Sequence, residues 1–196
     1  MPKQLSSELE SRLLAALDAS DPDRAIAIMR EHEPGWGLGR CGDPFGLPLD
    51  PALFRFIMVA EPPQIERFEP KVRKRLRIAA VMQHFIGDER GSERWFPQGV
   101  AWASRDEPMT AVRMCKFWAG SAQDVIQAKE LGRTRKRILG EGQKGDPRYA
   151  RCAYCISIRE RGFIPIDAEF EPGVKFPPLR GCTLPKYACR CMLEFA

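Results

Sequence analysis

Residues 151–191 read RCAYCISIRERGFIPIDAEFEPGVKFPPLRGCTLPKYACRC, and five of the chain's seven cysteines fall inside this stretch. Cys152 and Cys155 form a CxxC pair, Cys182 follows after 26 intervening residues, and Cys189-Arg190-Cys191 follows after six more. A CxxC turn reverses the backbone and aims two thiolates at one point, the convergence that Zn–S bonds of about 2.3 Å require. A second ligand group from a distant segment completes a tetrahedron and closes a long loop, so metal binding contributes directly to folding. The expected zinc ligands are Cys152, Cys155, Cys189 and Cys191, with Cys182 the substitute for one of the last two. Arg151 and Arg190 stand beside ligands and would offset thiolate charge. Between the ligand groups, Gly162 to Asp167 reads as a short strand or hairpin and Phe176 to Leu179 as an extended segment, so a small β element is expected.

Seven is an odd number of cysteines, and in a reducing compartment clustered thiols are more often ligands than disulfides. The start, Met1 to Glu10, has no apolar stretch of signal-peptide type. The best apolar run, Leu53 to Ala60, is interrupted by Arg55 and falls well short of the roughly 20 residues that span a bilayer. A cytoplasmic location is therefore expected, or a particle assembled there, without a membrane. Cys41 and Cys115 stand alone and read as ordinary buried residues.

The remainder reads as helical. Ser6 or Ser7 caps a helix whose Leu9, Leu13, Leu14 and Leu17 share a face, and Asp18 to Pro22 ends it. A second helix starts near Asp21 and Pro22 and buries Ala25, Ile26, Ile28 and Met29, and the two read as a helical hairpin. Residues 33–50, rich in Gly and Pro, read as an irregular loop. Asp50 and Pro51 open a short apolar helix over Ala52 to Ala60. A longer one runs to about Ile86, broken or restarted at Pro70, with Lys71, Arg73, Lys74, Arg75 and Arg77 mostly on its outer face as a solvated surface. Gly87 to Trp118 stays open between strand and helix. From Ser121 a helix is expected to carry Val125, Ile126, Leu131, Ile138 and Leu139, ending in Gly140 to Pro147.

Charge is unevenly distributed. From Lys129 to Arg161 there are ten Lys/Arg against four Asp/Glu, whereas the whole chain carries only +5. An anionic partner would be drawn here, and Lys129, Arg133, Arg135, Lys136, Arg137, Arg148, Arg151, Arg159 and Arg161 are the candidate contacts to nucleic-acid phosphates. Tyr149 and Tyr154 either stack on bases or pack under the zinc loop.

The order Asp146, Arg148, Cys152-x-x-Cys155, Phe163 to Asp167, Phe170, Pro177-Pro178-Leu179 and Cys189-Arg190-Cys191 resembles the C-terminal end of phage minor head proteins. These are the head-morphogenesis proteins similar to protein F of phage Mu, whose tails carry a CxxC, a short strand, Pro-Pro-Leu-His and Cys-Arg-Cys. The resemblance implies a structural component of a phage or prophage particle, associated with portal and capsid. It covers about 45 residues and departs from the pattern at Arg180, where His is expected, at the additional Cys182, and in the longer spacing from Leu179 to Cys189.

Enzymatic signals are thin. Gly37 to Gly42 satisfies GxGxxG, but a helix precedes it and prolines follow, so it reads as a structural loop rather than a dinucleotide site. His84 reads as a packed core or boundary residue, and His32, with Glu31 and Glu33, as a solvated helix end. No nucleophile elbow, phosphate loop or HExxH is present, and no HxE of deaminase type precedes the cysteine pair. No catalytic residue is assigned, and a site rich in thiolates fits a closed structural zinc. The expectation is an α+β protein: a mostly helical domain over residues 1–140 and a small zinc-bound β module over 146–196. The expected role is that of a non-enzymatic zinc-binding structural or assembly protein of phage or prophage type, partnered by other subunits or by itself. The alternative is a zinc-supported nucleic-acid-binding protein using the basic 129–161 segment.

Overall fold

The first elements follow from local chemistry. The computed structural model describes residues 5–32, 51–86, 90–139, 153–181 and 192–196. Ser6 keeps an extended backbone and its hydroxyl accepts the Leu9 N–H at 3.2 Å, which starts α1 (Ser7–Asp18). Asp21 accepts the Arg24 N–H at 2.9 Å and Pro22 supplies a preset φ, so α2 (Pro22–His32) begins at once. The two helices form the expected hairpin, with Leu9, Leu13, Leu17, Ala25, Ile26, Ile28 and Met29 buried.

Helix α3 (Pro51–Met58) drives Phe54 and Ile57 into the core. A 3-10 turn (Pro63–Ile65) then precedes α4 (Pro70–Ile86), which restarts at Pro70. From Leu76 to Phe85 α4 is apolar or buried on nearly every side, the pattern of a helix enclosed by neighbours. Four of its basic residues, Arg73, Lys74, Arg75 and Arg77, are held by the protein's own acceptors. Arg73 pairs with Glu61 at 2.9 Å, Arg75 with Asp18 at 3.2 Å, and Arg77 reaches the Ala60 carbonyl at 2.6 Å.

The open region resolves into a 3-10 segment (Arg90–Trp95), an irregular stretch, and α5 (Glu107–Glu130). Glu10 clamps the 3-10 segment to α1: it accepts the Trp95 indole N–H at 2.8 Å and pairs with Arg94 at 2.6 Å. At about 1.5 Å per residue, the 24 residues of α5 span about 36 Å. Its Ala111, Val112, Cys115 and Ala119 belong to the core of the helical body. Met114 enters a second core, and Val125 and Ala128 a third, both shared with the C-terminal segments.

Two expectations need correction. The helix begins at Glu107, so Ser121 lies in its interior, and it ends near Gly132 rather than continuing through Ile138. Gly132 has φ +76°, its N–H bonds the Lys129 carbonyl and the Arg133 N–H bonds that of Ala128, each at 2.9 Å. This pair of reversed bonds satisfies the last carbonyls and turns the chain out of the helix. Leu131, expected on the apolar face, is 78% exposed.

The basic run that follows is therefore a strand. β1 (Arg135–Ile138) is the centre of a three-stranded antiparallel sheet, with β2 (Ile164–Pro165) on one side and β3 (Leu193–Phe195) on the other. Lys136 stands opposite both Ile164 and Phe195, and Ile138 opposite Leu193. α6 (Ala153–Glu160) covers the inner side with Cys155 and Ile158. The mainly helical α+β architecture is thus as expected, with the sheet drawing its central strand from before residue 140. No helix among the described residues is long and apolar enough to cross a membrane.

Candidate metal centre

Cys155 is 1% exposed and sits in the first turn of α6, packed in a cluster with Met114, Ile138, Ile158, Phe170, Val174 and Leu179. The second cysteine of the CxxC pair therefore lies at a helix start. Cys152, Cys182, Cys189 and Cys191, together with Cys41, Tyr149, Arg148 and Arg151, lie outside the described residues, as do residues 33–50, which hold the GxGxxG, and the boundary at 140–147. Among the described residues no three His, Cys, Asp or Glu side chains group as a metal site.

The flanks of the cysteine segments meet at Cys155. Tyr154, beside it on α6, donates its hydroxyl hydrogen to Glu171 Oε1. The other carboxylate oxygen of Glu171 accepts the Arg180 N–H at 2.8 Å. Glu171 thereby ties α6 to the end of the 176–181 segment, and the hydrogen bond to it is the main reason the Tyr154 hydroxyl titrates above its usual range. Gly181 consequently lies against the Tyr154 ring, and Cys182 is the next residue in the chain. On the other side, Met192 accepts the Leu139 N–H at 2.8 Å and Leu193 packs into the cluster that contains Cys155. Cys191 immediately precedes Met192.

Arg180, where the resembled pattern has His, links this module to the helical body. Its guanidinium pairs with Glu66 at 2.6 Å and donates to the Pro172 carbonyl, while Gln64 donates to the Leu179 carbonyl at 3.0 Å.

Among the basic residues, alternation along β1 separates two groups. Arg135 and Arg137 point outward, and Lys136 is completely buried. Its ammonium donates to the Lys175 carbonyl at 2.8 Å and lies 5.1 and 5.4 Å from the ring centres of Phe170 and Phe176. Burial pulls its pKa down to about 8, against the opposing pull of Asp167. Lys136, expected among the phosphate contacts, is a correction: its side chain is inside the protein. Lys129 is exposed and paired with Asp167. Arg133, Arg135 and Arg161 are exposed, and Arg137 and Arg159 half-buried.

The two isolated readings hold where they can be seen. Cys115 is fully buried, and desolvation pushes its thiol up to about 12. His84 is buried edge-on to Phe54 at 5.2 Å with no hydrogen-bond partner for Nε2, and burial, aided by Lys116, pulls it down to about 3. Sequence reasoning missed Glu171 and Gly181 and put Lys136 on the surface, because the contacts that matter to each come from distant segments with no spacing rule.

No protein-family model, curated protein or solved structure matches this chain.

Proposed function

We propose that the chain is a non-enzymatic structural or assembly protein whose C-terminal module is held by one zinc ion. The ligands are Cys155 and three of Cys152, Cys182, Cys189 and Cys191. The observation that carries the reading is the anchoring of both flanks beside Cys155: Gly181 on the Tyr154 ring and Leu193 in the cluster that buries Cys155. Cys182 follows Gly181 directly and Cys191 lies two residues before Leu193, and a thiolate set large enough to fill four positions favours a closed structural site. Bound zinc would cross-link α6 to the segments entering and leaving the sheet, supplying stability that such short strands lack.

The partner class follows from the resemblance to phage minor head proteins and from apolar side chains turned to solvent. Among the described residues the exposed large hydrophobics are Val59, Ile126, Leu131 and Met192, and the last three lie at the C-terminal end of α5 and beside β3. Such side chains suit contact with other subunits of a particle or with a second copy.

Elemental analysis of the purified protein, with Cys155→Ser and Cys115→Ser variants, is the test. About one zinc per chain is expected, retained in Cys115→Ser and lost in Cys155→Ser together with thermal stability. Metal-free protein that is fully folded, or zinc retained in Cys155→Ser, would sink the metal reading; a strictly monomeric zinc-loaded protein at high concentration would count against self-assembly.

A further inference from the structure

The three strands place alternate residues on opposite faces of the sheet. The inner face carries Lys136, Ile138, Ile164 and Leu193, covered by α5, α6 and the 168–179 segment. The outer face carries Arg135 and Arg137 from β1, Phe163 just before β2, and Glu194 from β3. The guanidinium carbons of Arg137 and Arg135 lie 4.5 and 5.8 Å from the centre of the same Phe163 ring. Arg135 also donates to the Phe163 carbonyl at 2.8 Å, and Arg137 pairs with Glu194 at 2.6 Å.

Further positive charge is close by. Arg161 precedes Phe163 by two residues, Arg133 precedes Arg135 by two, and both are exposed. Arg159 is near enough to Glu194 that its charge, after the Arg137 hydrogen bond, helps hold that carboxyl below its usual range. Among these arginines stands Glu194, already paired; Glu160 ends α6, and the Ala196 main-chain oxygen accepts the Thr134 and Arg135 N–H groups at 3.0 Å. The internal bonds fix where the guanidiniums sit without exhausting them, since a guanidinium carries about five N–H donors.

We propose that this outer sheet face binds single-stranded nucleic acid. Arg133, Arg135, Arg137 and Arg161 take phosphates, and Phe163 with the guanidiniums above it offers a base a stacking platform. Charge alone would suit any polyanion. An aromatic ring set among guanidiniums adds the π surface that unstacked bases seek and that a duplex keeps to itself. The face is short: four residues of β1 cover about 13 Å, room for two or three nucleotides and three or four phosphate contacts. The site needs none of the cysteines.

Fluorescence anisotropy of the full chain with a labelled oligothymidine of about 12 nucleotides, against a duplex of equal length, tests it. Binding to the single strand is expected to exceed binding to the duplex. It should weaken about 20- to 50-fold between about 50 and about 200 mM salt, as three or four phosphate contacts at a slope of about −0.7 each require. Arg135→Ala should reduce both affinity and salt slope, whereas Phe163→Leu should reduce affinity at least fivefold with the slope unchanged. Arg12→Ala on the helical body should change nothing, and circular dichroism checks each fold. If Phe163→Leu or Arg135→Ala unfolds, the exposed pair Arg133→Ala and Arg161→Ala carries the same slope test. No binding, equal or better binding to duplex, or binding indifferent to these variants overturns the proposal. Zinc content, measured separately, keeps the metal reading independent of that outcome.

Discussion

Gly181 lies so close to Tyr154 that a Cβ on the glycine would stand 2.6 to 2.7 Å from three atoms of the ring. The contact is between a backbone and a side chain held by Glu171, so neither partner moves aside easily. Gly181→Ala is expected to cost about 1–3 kcal/mol in thermal unfolding, the usual range for overpacking. In a Tyr154→Ala background the same substitution should cost almost nothing, and a penalty that persists there would show that the ring is not its cause.

Gly132 is the contrasting case. A Cβ there meets nothing within 4 Å, but φ is +76°. Gly132→Ala should therefore cost only the conformational term, about 1 kcal/mol, and Gly132→Asn less. A loss of several kcal/mol by chemical denaturation would refute the assignment of Gly132 as a helix terminator.

Lys136 links stability to alkaline pH. Its pKa falls from 10.5 to about 8 on folding, chiefly by burial, so below about 8 the native state carries a charged amine it disfavours. Between about 8 and 10.5 the unfolded chain binds more protons than the native one, and stability rises with pH. Lys136→Met should be more stable than the parent near pH 7, by about 1–3 kcal/mol, and the gap should close as pH approaches 10.5. Parallel melting curves across that range, with a constant gap, would contradict it.

His84 acts at the other end. It is neutral in the fold, with its pKa lowered from 6.5 to about 3 by burial and Lys116, while the unfolded chain takes up a proton below 6.5. Stability contributed by the neutral ring is lost as pH falls through that window, on the order of 3–5 kcal/mol by its lower end. His84→Phe should flatten the acid limb of a plot of unfolding free energy against pH. An unchanged limb would place the acid sensitivity elsewhere.

Ser6, Asp21 with Pro22, and Pro70 are local devices, and each starts its helix where the sequence places it. The start of α5 at Glu107 was hidden because its first turns follow tryptophan-rich irregular chain and carry no side-chain N-cap bond. Its end at Gly132 was visible in principle as a C-terminal glycine, but the helix-favouring run after it masked the signal. For the candidate metal site, the sequence names the cysteines, while the anchoring of their flanks by Glu171, Tyr154 and Leu193 joins segments up to about forty residues apart and has no local signature.

By itself the sequence determined the helical hairpin, the buried faces of α1 and α2, the packed settings of Cys115 and His84, and the concentration of cysteine and basic residues in one C-terminal stretch. These depend on periodicity, capping and composition, which act over a few residues. Only the tertiary structure decided that Arg135 to Ile138 is a strand, that Lys136 points inward while Arg135 and Arg137 point outward, and that Gly181 meets Tyr154. A charged tetrapeptide has no intrinsic preference strong enough to choose an extended backbone. Pairing with Ile164 on one side and Leu193 to Phe195 on the other satisfies its backbone groups, and the period of two then assigns every side chain a face.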